Sequence, residues 1–141
     1  MRVFHSLDVS GTALTAHRLW MDVISENLAN VNATRTAEGE GPYVRRVPIF
    51  AERLDRELGG AKSGSGGVKV ASLVKDPLPP RLVYQPEHPD ADDNGYVAYP
   101  NVNIVREMAD LLVASRAYES NLAVVDSAKN MWNGALEVLR G

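Results

Sequence analysis

The two ends of this chain share one pattern, and that pattern limits the folds open to it. Residues 5–32 and 103–140 both carry apolar side chains at intervals of three and four, the period of an α-helix. The stretch between them is punctuated by Pro and Gly and reads as short strands and turns. A chain with long amphipathic helices at both termini and a compact insert between them is built to pair its ends. The expected fold is α+β. Residues 1–34 and 101–141 supply two helices paired as a coiled-coil-like α domain. Residues 35–100 form a small β-rich insert with a flexible loop near 59–67.

In the first segment Leu7, Leu14, Met21 and Leu28 recur every seven residues, and Phe4, His17, Ile24 and Val31 fall three or four positions from them. This spacing predicts a heptad-like seam. Val3, Ala13, Ala16, Trp20 and Val23 widen the apolar face beyond one stripe, as expected of a helix that meets more than one neighbour. Gly11 weakens the helix by about 1 kcal/mol relative to Ala. Asn27, Asn30 and Asn32 crowd its far end. Asn is a poor helix former because its amide competes with the backbone, so the helix should stop near Asn30–Asn32 with an Asn in a left-handed cap. The same amides are also placed to bond neighbouring chains.

The second helix is predicted to start after Pro100, with Asn103 as its N-cap. From there Ile104, Met108, Leu111, Ser115, Tyr118, Leu122, Val125, Lys129, Trp132, Leu136 and Leu139 alternate by four and three. Val105, Leu112, Val124 and Met131 widen this face too. A helix of this extent is about 55 Å long. No ordinary core of a 141-residue globule covers that length, so neighbouring chains are expected to do so. A simple two-helix coiled coil within one chain would explain one stripe per helix but not the width.

In the insert, Tyr43–Phe50 reads as an edge strand because it contains Pro48. Ala51–Leu58 reads as a short helical turn and Gly59–Gly67 as a loop tip. Val68–Val74 is the best strand, with Val68, Val70, Ser72 and Val74 expected on one face. Arg81–Tyr84 and Tyr96–Tyr99 are two more short strands. Asp90, Asp92, Asn94 and Gly95 match the first half of a calcium-binding loop, but Asn101 stands where the closing bidentate Glu belongs. The alternative for this segment is an Asx-type turn with Gly95 at positive φ.

Nothing in the chain organises catalysis. It has no Cys, no nucleophile elbow, no Walker loop and no paired-His zinc motif, so no enzyme activity, cofactor or metal site is expected. A net charge of −3 and no basic cluster beyond Arg45–Arg46 argue against a nucleic-acid partner. No run approaches the ~20 apolar residues of a membrane span, and no cleavable signal peptide is visible. The chain is expected either to stay in the cytoplasm or to leave by a route that reads no such signal.

Several strings, taken together, resemble the flagellar axial protein family of rod and hook proteins. Ser25–Thr36 (SENLANVNATRT) is similar to the family's N-terminal signature, and Asn101–Asn121 (NVNIVREMADLLVASRAYESN) to its C-terminal partner. His88–Asn103, Gly41–Arg46 and Asp76–Tyr84 fit the proximal-rod branch in order and spacing. The resemblance implies a structural subunit that leaves through the flagellar type III export apparatus and crosses the periplasm as part of a helical rod that transmits motor torque. It implies copies of itself and other rod proteins as partners. The expected assembly surface is the helix seams: Leu7, Leu14, Met21, Ile24, Leu28 and Val31 on the first helix, and Ile104, Met108, Leu111, Tyr118, Leu122, Val125, Trp132 and Leu136 on the second. The signature polar residues are Asn27, Asn30, Asn32, Asn101, Asn103 and Arg116. Two other functions compete: a cytoplasmic helical-hairpin adaptor that binds partner helices, and a small calcium-binding protein using Asp90, Asp92 and Asn94. The first gives no reason for the two signature strings, and the second lacks the closing acid.

Overall fold

The computed structural model describes residues 2–37, 41–54 and 65–140. Two helices, α1 (Arg2–Ala29) and α2 (Ile104–Arg140), enclose four strands: β1 (Arg46–Leu54), β2 (Ser65–Lys75), β3 (Arg81–Tyr84) and β4 (Tyr96–Tyr99). The strands form two separate antiparallel pairs, β1–β2 and β3–β4.

α1 is the spine. It packs against α2 on one side and against β1 and β2 on the other, whereas among the described residues α2 contacts no helix or strand except α1. The helices run antiparallel. Asn27, near the end of α1, bonds Glu107 in the first turns of α2. Ala114 and Ala128, further along α2, are buried as well, and α1 is the one described element that contacts α2. Glu107, Ala114 and Ala128, with half-buried Asn121, lie seven residues apart and make one stripe. Small side chains there let the backbones approach, and Ser10 and Ala16 are buried on α1. α2 is about 13 Å longer than α1 by helical rise. Level pairing from Asn27–Glu107 puts Arg2 near Trp132, so the last turns of α2 project past α1.

Asn103 caps α2 as expected, its Oδ1 accepting the Arg106 N–H at 3.1 Å. α1 ends differently from expectation. It stops at Ala29, and no described non-glycine residue has positive φ, so there is no left-handed Asn cap. Asn30 instead donates its side-chain amide to the Glu26 carbonyl at 2.9 Å, satisfying the end with the helical backbone sense kept.

The β1–β2 hairpin corrects the sequence reading in two places. Ala51–Leu54 is strand, not helical turn, because Ala51 and Glu52 pair with Lys69 and Val68; cross-strand bonding overrides the helix preference of Ala, Glu and Leu. Residues 55–64, most of the expected loop, lie outside the described residues, and Ser65–Gly67 already belong to β2. The register slips between Ile49–Ser72 and Phe50–Val70, which leaves Ala71 as a bulge. Residues directly opposite share a face. Val68 and Val70 therefore lie on the Pro48 and Phe50 side, and Ser72 and Val74 lie on the Val47 and Ile49 side. The single face expected for Val68–Val74 is split by that one extra residue.

The first of these faces docks on α1. Phe50 meets the Trp20 ring edge-on with centroids 5.7 Å apart, and His17 lies 6.4 Å from Phe50. Thr12 Oγ1 donates to the Val9 carbonyl at 2.7 Å and accepts the Val68 N–H at 3.1 Å. Gly67, at φ 101°, lies directly beneath Thr12, where any Cβ would collide with the hydroxyl.

Candidate assembly surface

The helices and the insert carry three distinct groups of side chains: a buried polar joint, a tether between loops, and the outer faces of the helices. The joint is where both helices and the insert converge. Asn27 is almost fully buried and uses all of its amide. Its Nδ2 donates to the Arg46 carbonyl at 2.9 Å and to Glu107 Oε2 at 3.2 Å. Its Oδ1 accepts the Arg46 N–H and the Tyr43 hydroxyl, both at 2.9 Å. Glu107, also fully buried, accepts from Arg45 Nε through Oε1 at 2.6 Å. Arg45 reaches Asp76 at the end of β2 at 3.3 Å, and Arg46 pairs with Glu26 at 3.1 Å.

The electrostatics follow from this packing. Burial raises the Tyr43 phenol above its ordinary pKa, with the Glu26 charge adding to the effect and Arg46 opposing it. Burial pulls on Arg45 in the direction of losing its proton, but the hydrogen bonds and charges of Glu107 and Asp76 outweigh it and raise the pKa. Buried charges survive when they are paired and hydrogen-bonded in this way. The joint therefore fixes where the insert leaves the helix pair.

The second connection is slighter. Among the described residues, β3 and β4 pack on each other and on no other strand or helix. Their loop is held to the chain after α1 through Asp90, whose Oδ2 accepts the Thr34 hydroxyl at 2.7 Å and whose Oδ1 pairs with Arg35. Asp92 is spent locally: its Oδ1 accepts the Asn94 and Tyr96 N–H groups at 2.9 and 2.8 Å, and Gly95 has φ 80°. That is the Asx-type turn, with both carboxylates of the half-motif engaged by protein donors. The Thr34 hydrogen bond lowers the Asp90 pKa, with help from Arg35. A depressed folded-state pKa contributes stability above the unfolded value of about 3.9 and loses it as pH falls through the folded value. The tether should therefore persist at neutral pH and release only in stronger acid than an ordinary Asp requires. A carboxyl-carbon NMR titration that found Asp90 at or above the ordinary value would contradict this.

The seam residues read from sequence separate into two sets. On α1, Ile24 is buried and Leu7, Leu14, Met21 and Leu28 are half-buried; Val31, expected on this helix, lies in the turn after its end and is half-buried too. On α2, Leu111, Tyr118 and Val125 are half-buried beside the Glu107–Ala128 stripe. Ile104, Met108, Leu122, Trp132 and Leu136 are exposed. So are Val105, Leu112, Val124, Met131, Val138 and Leu139, the last two above 80%. Of the polar residues, Asn27, Asn30 and Asn103 make the bonds above, Asn101 is half-buried, and Asn32 and Arg116 are exposed. Tyr43, Arg45, Asp76 and Glu107 were not singled out by sequence. The available signal was Glu107 in register with Ala114, Asn121 and Ala128.

The chain resembles known proteins along its whole length. The family model described as "Flagella basal body rod protein" matches residues 7–35, within α1 and its exit. "Flagellar basal body rod FlgEFG protein C-terminal" matches residues 93–138, from the Asx-type turn through α2. The flagellar basal-body rod protein FlgC of Borreliella burgdorferi is 47% identical, with 100% of both chains covered. Those of Bacillus subtilis and Salmonella typhimurium are 40% and 39% identical, covering 98% and 93% of this chain and 99% and 93% of theirs. Both helices, the joint between them and the insert thus fall inside a single full-length likeness, and the chain belongs to the FlgC family of flagellar basal-body rod proteins as a structural subunit of the rod.

Proposed function

We propose that this chain polymerises helically in the proximal rod through its terminal helices, beside copies of itself and other rod proteins, and transmits motor torque. In this reading it reaches the periplasmic space through the flagellar type III export apparatus without a cleaved signal, and catalysis plays no part. One observation carries the proposal. Among the described residues α2 packs on one other helix or strand, α1, yet it presents apolar side chains around the rest of its circumference and on the turns that project past α1. Soluble monomers rarely expose so large an apolar patch without a partner to cover it. The shared Leu111, Tyr118 and Val125 line serves the partner within the chain. The exposed Met108, Leu122 and Leu136 line is left for neighbours. The adaptor reading would also use an exposed helix face, but it gives no reason for a likeness to rod proteins along the whole chain.

Amide exchange tests this. Helices that depend on tertiary contacts are marginal alone. In the isolated chain, residues 130–140 should exchange fastest and the Asn27–Glu107 region slowest. In purified basal bodies the whole of α2 should become protected. Equal protection of residues 130–140 in both states would remove the basis for the assembly surface.

A further inference from the structure

The two β-hairpins each leave one face bare, and the bare faces differ in character. On β1–β2 the face turned away from α1 carries Ile49 and Val74, both exposed, together with Lys69. On β3–β4 one face carries Leu82, Tyr84 and Tyr96, all exposed, with the two Tyr rings edge-on at 5.3 Å. The exposed acids Glu87 and Asp93 lie in the loop at its end. Lys69, Glu87 and Asp93 make no ion pair among the described residues. Within one chain the two hairpins do not touch. An isolated two-stranded hairpin is marginal and gains stability from a second layer; β1–β2 has α1, whereas β3–β4 buries Val97 on its Val83 face but packs on no other helix or strand among the described residues.

We propose that the Leu82–Tyr84–Tyr96 face of one copy stacks on the Ile49–Val74 face of the next copy, with Glu87 and Asp93 set against Lys69. The inference rests on the rod reading and names a contact between inserts within it. The charges select the geometry. A two-fold axis through either face would set Lys69 against Lys69, or the acidic loop against itself. Apolar faces with opposite charges at their margins meet head to tail instead, and a head-to-tail contact need not close on itself, as an open helical polymer requires. Sheet faces packed this way lie about 10 Å apart.

The chain has no Cys, which makes the test clean. Val74→Cys and Leu82→Cys copies are expressed together and separately, and isolated basal bodies are treated with a thiol cross-linker spanning about 10 Å, the sheet spacing. The expected product is a dimer of this chain, at least tenfold enriched when both variants are present. Three results would overturn the contact: a dimer from either variant alone, a cross-link of Leu82→Cys to a different rod protein, or no dimer although both variants are incorporated. Incorporation without a dimer leaves the rod reading standing and removes only this contact. If the Cys variants do not incorporate, charge reversal decides. Glu87→Lys and Lys69→Glu should each lower incorporation several-fold, and the two together in one chain should restore it, since every contact then carries both reversals. Failure of that rescue overturns the proposal.

Discussion

Leu122→Asp should leave the isolated chain folded and remove it from the rod. Leu122 is 43% exposed in the single chain and lies roughly 100° around α2 from Asn121, on the flank of the Glu107–Ala128 stripe. Fully burying a Leu contributes about 1.5–3 kcal/mol, so losing the part already covered costs the isolated chain about 1 kcal/mol. In the assembly the remainder is buried, and an Asp there would forfeit it and carry a carboxylate into an apolar contact. The penalty recurs in every subunit, so a modest cost per copy becomes prohibitive for a polymer. The circular dichroism of the purified variant should match wild type while cells relying on it make no rods and do not swim. Motile cells carrying only this variant would show that the outer face of α2 is not an assembly surface.

A second large effect is expected at the joint, this time on folding itself. Glu107→Ala leaves the Arg45 guanidinium buried with Asp76 at 3.3 Å and the more distant Asp110 at 3.9 Å, and strips the Asn27 amide of one acceptor. Removing one partner of a buried pair costs about 3–5 kcal/mol, and the surviving Asp76 bond places this case near the lower end. For a chain of this size that is a fall in Tm on the order of 10 °C. Glu107→Gln should fail nearly as badly, which separates this site from an ordinary ion pair. Both Glu107 oxygens accept, one from Arg45 Nε and the other from Asn27 Nδ2, so a Gln must aim its NH2 at one of two donors. Thermal melts of the two variants check this. A Glu107→Gln protein with wild-type Tm would mean that the carboxylate is not bridging the two donors.

These two sites also mark how far the sequence could be read. The helices were legible because the helical period of Leu, Met, Ile and Val runs through both ends, interrupted by polar residues such as His17, Ser115 and Lys129, and Pro100 and Asn103 fix where α2 begins. The excess width of their apolar faces was legible too, and that width is what remains exposed on α2. The Asx-type turn was written in Asp92, Asn94 and Gly95, because that chemistry acts over a few residues. What sequence left undecided involves partners far apart in the chain. The stripe that α2 presents to α1 is made of Glu107, Ala114, Asn121 and Ala128, none of which a hydrophobic pattern selects; they are chosen by how closely two backbones can approach. Asn27 was visible as one of three Asn at a helix end, but nothing local marks it as the one whose amide is used up by Tyr43, Arg46 and Glu107, since those partners lie 16, 19 and 80 residues away. The bulge at Ala71 has the same origin: alternation along β2 reads as one face, and only the pairing with β1 divides it. Periodicity and caps are local and additive, so the chain states them directly. Register, close approach and the satisfaction of buried polar groups are properties of two segments at once, and only the tertiary structure decides them.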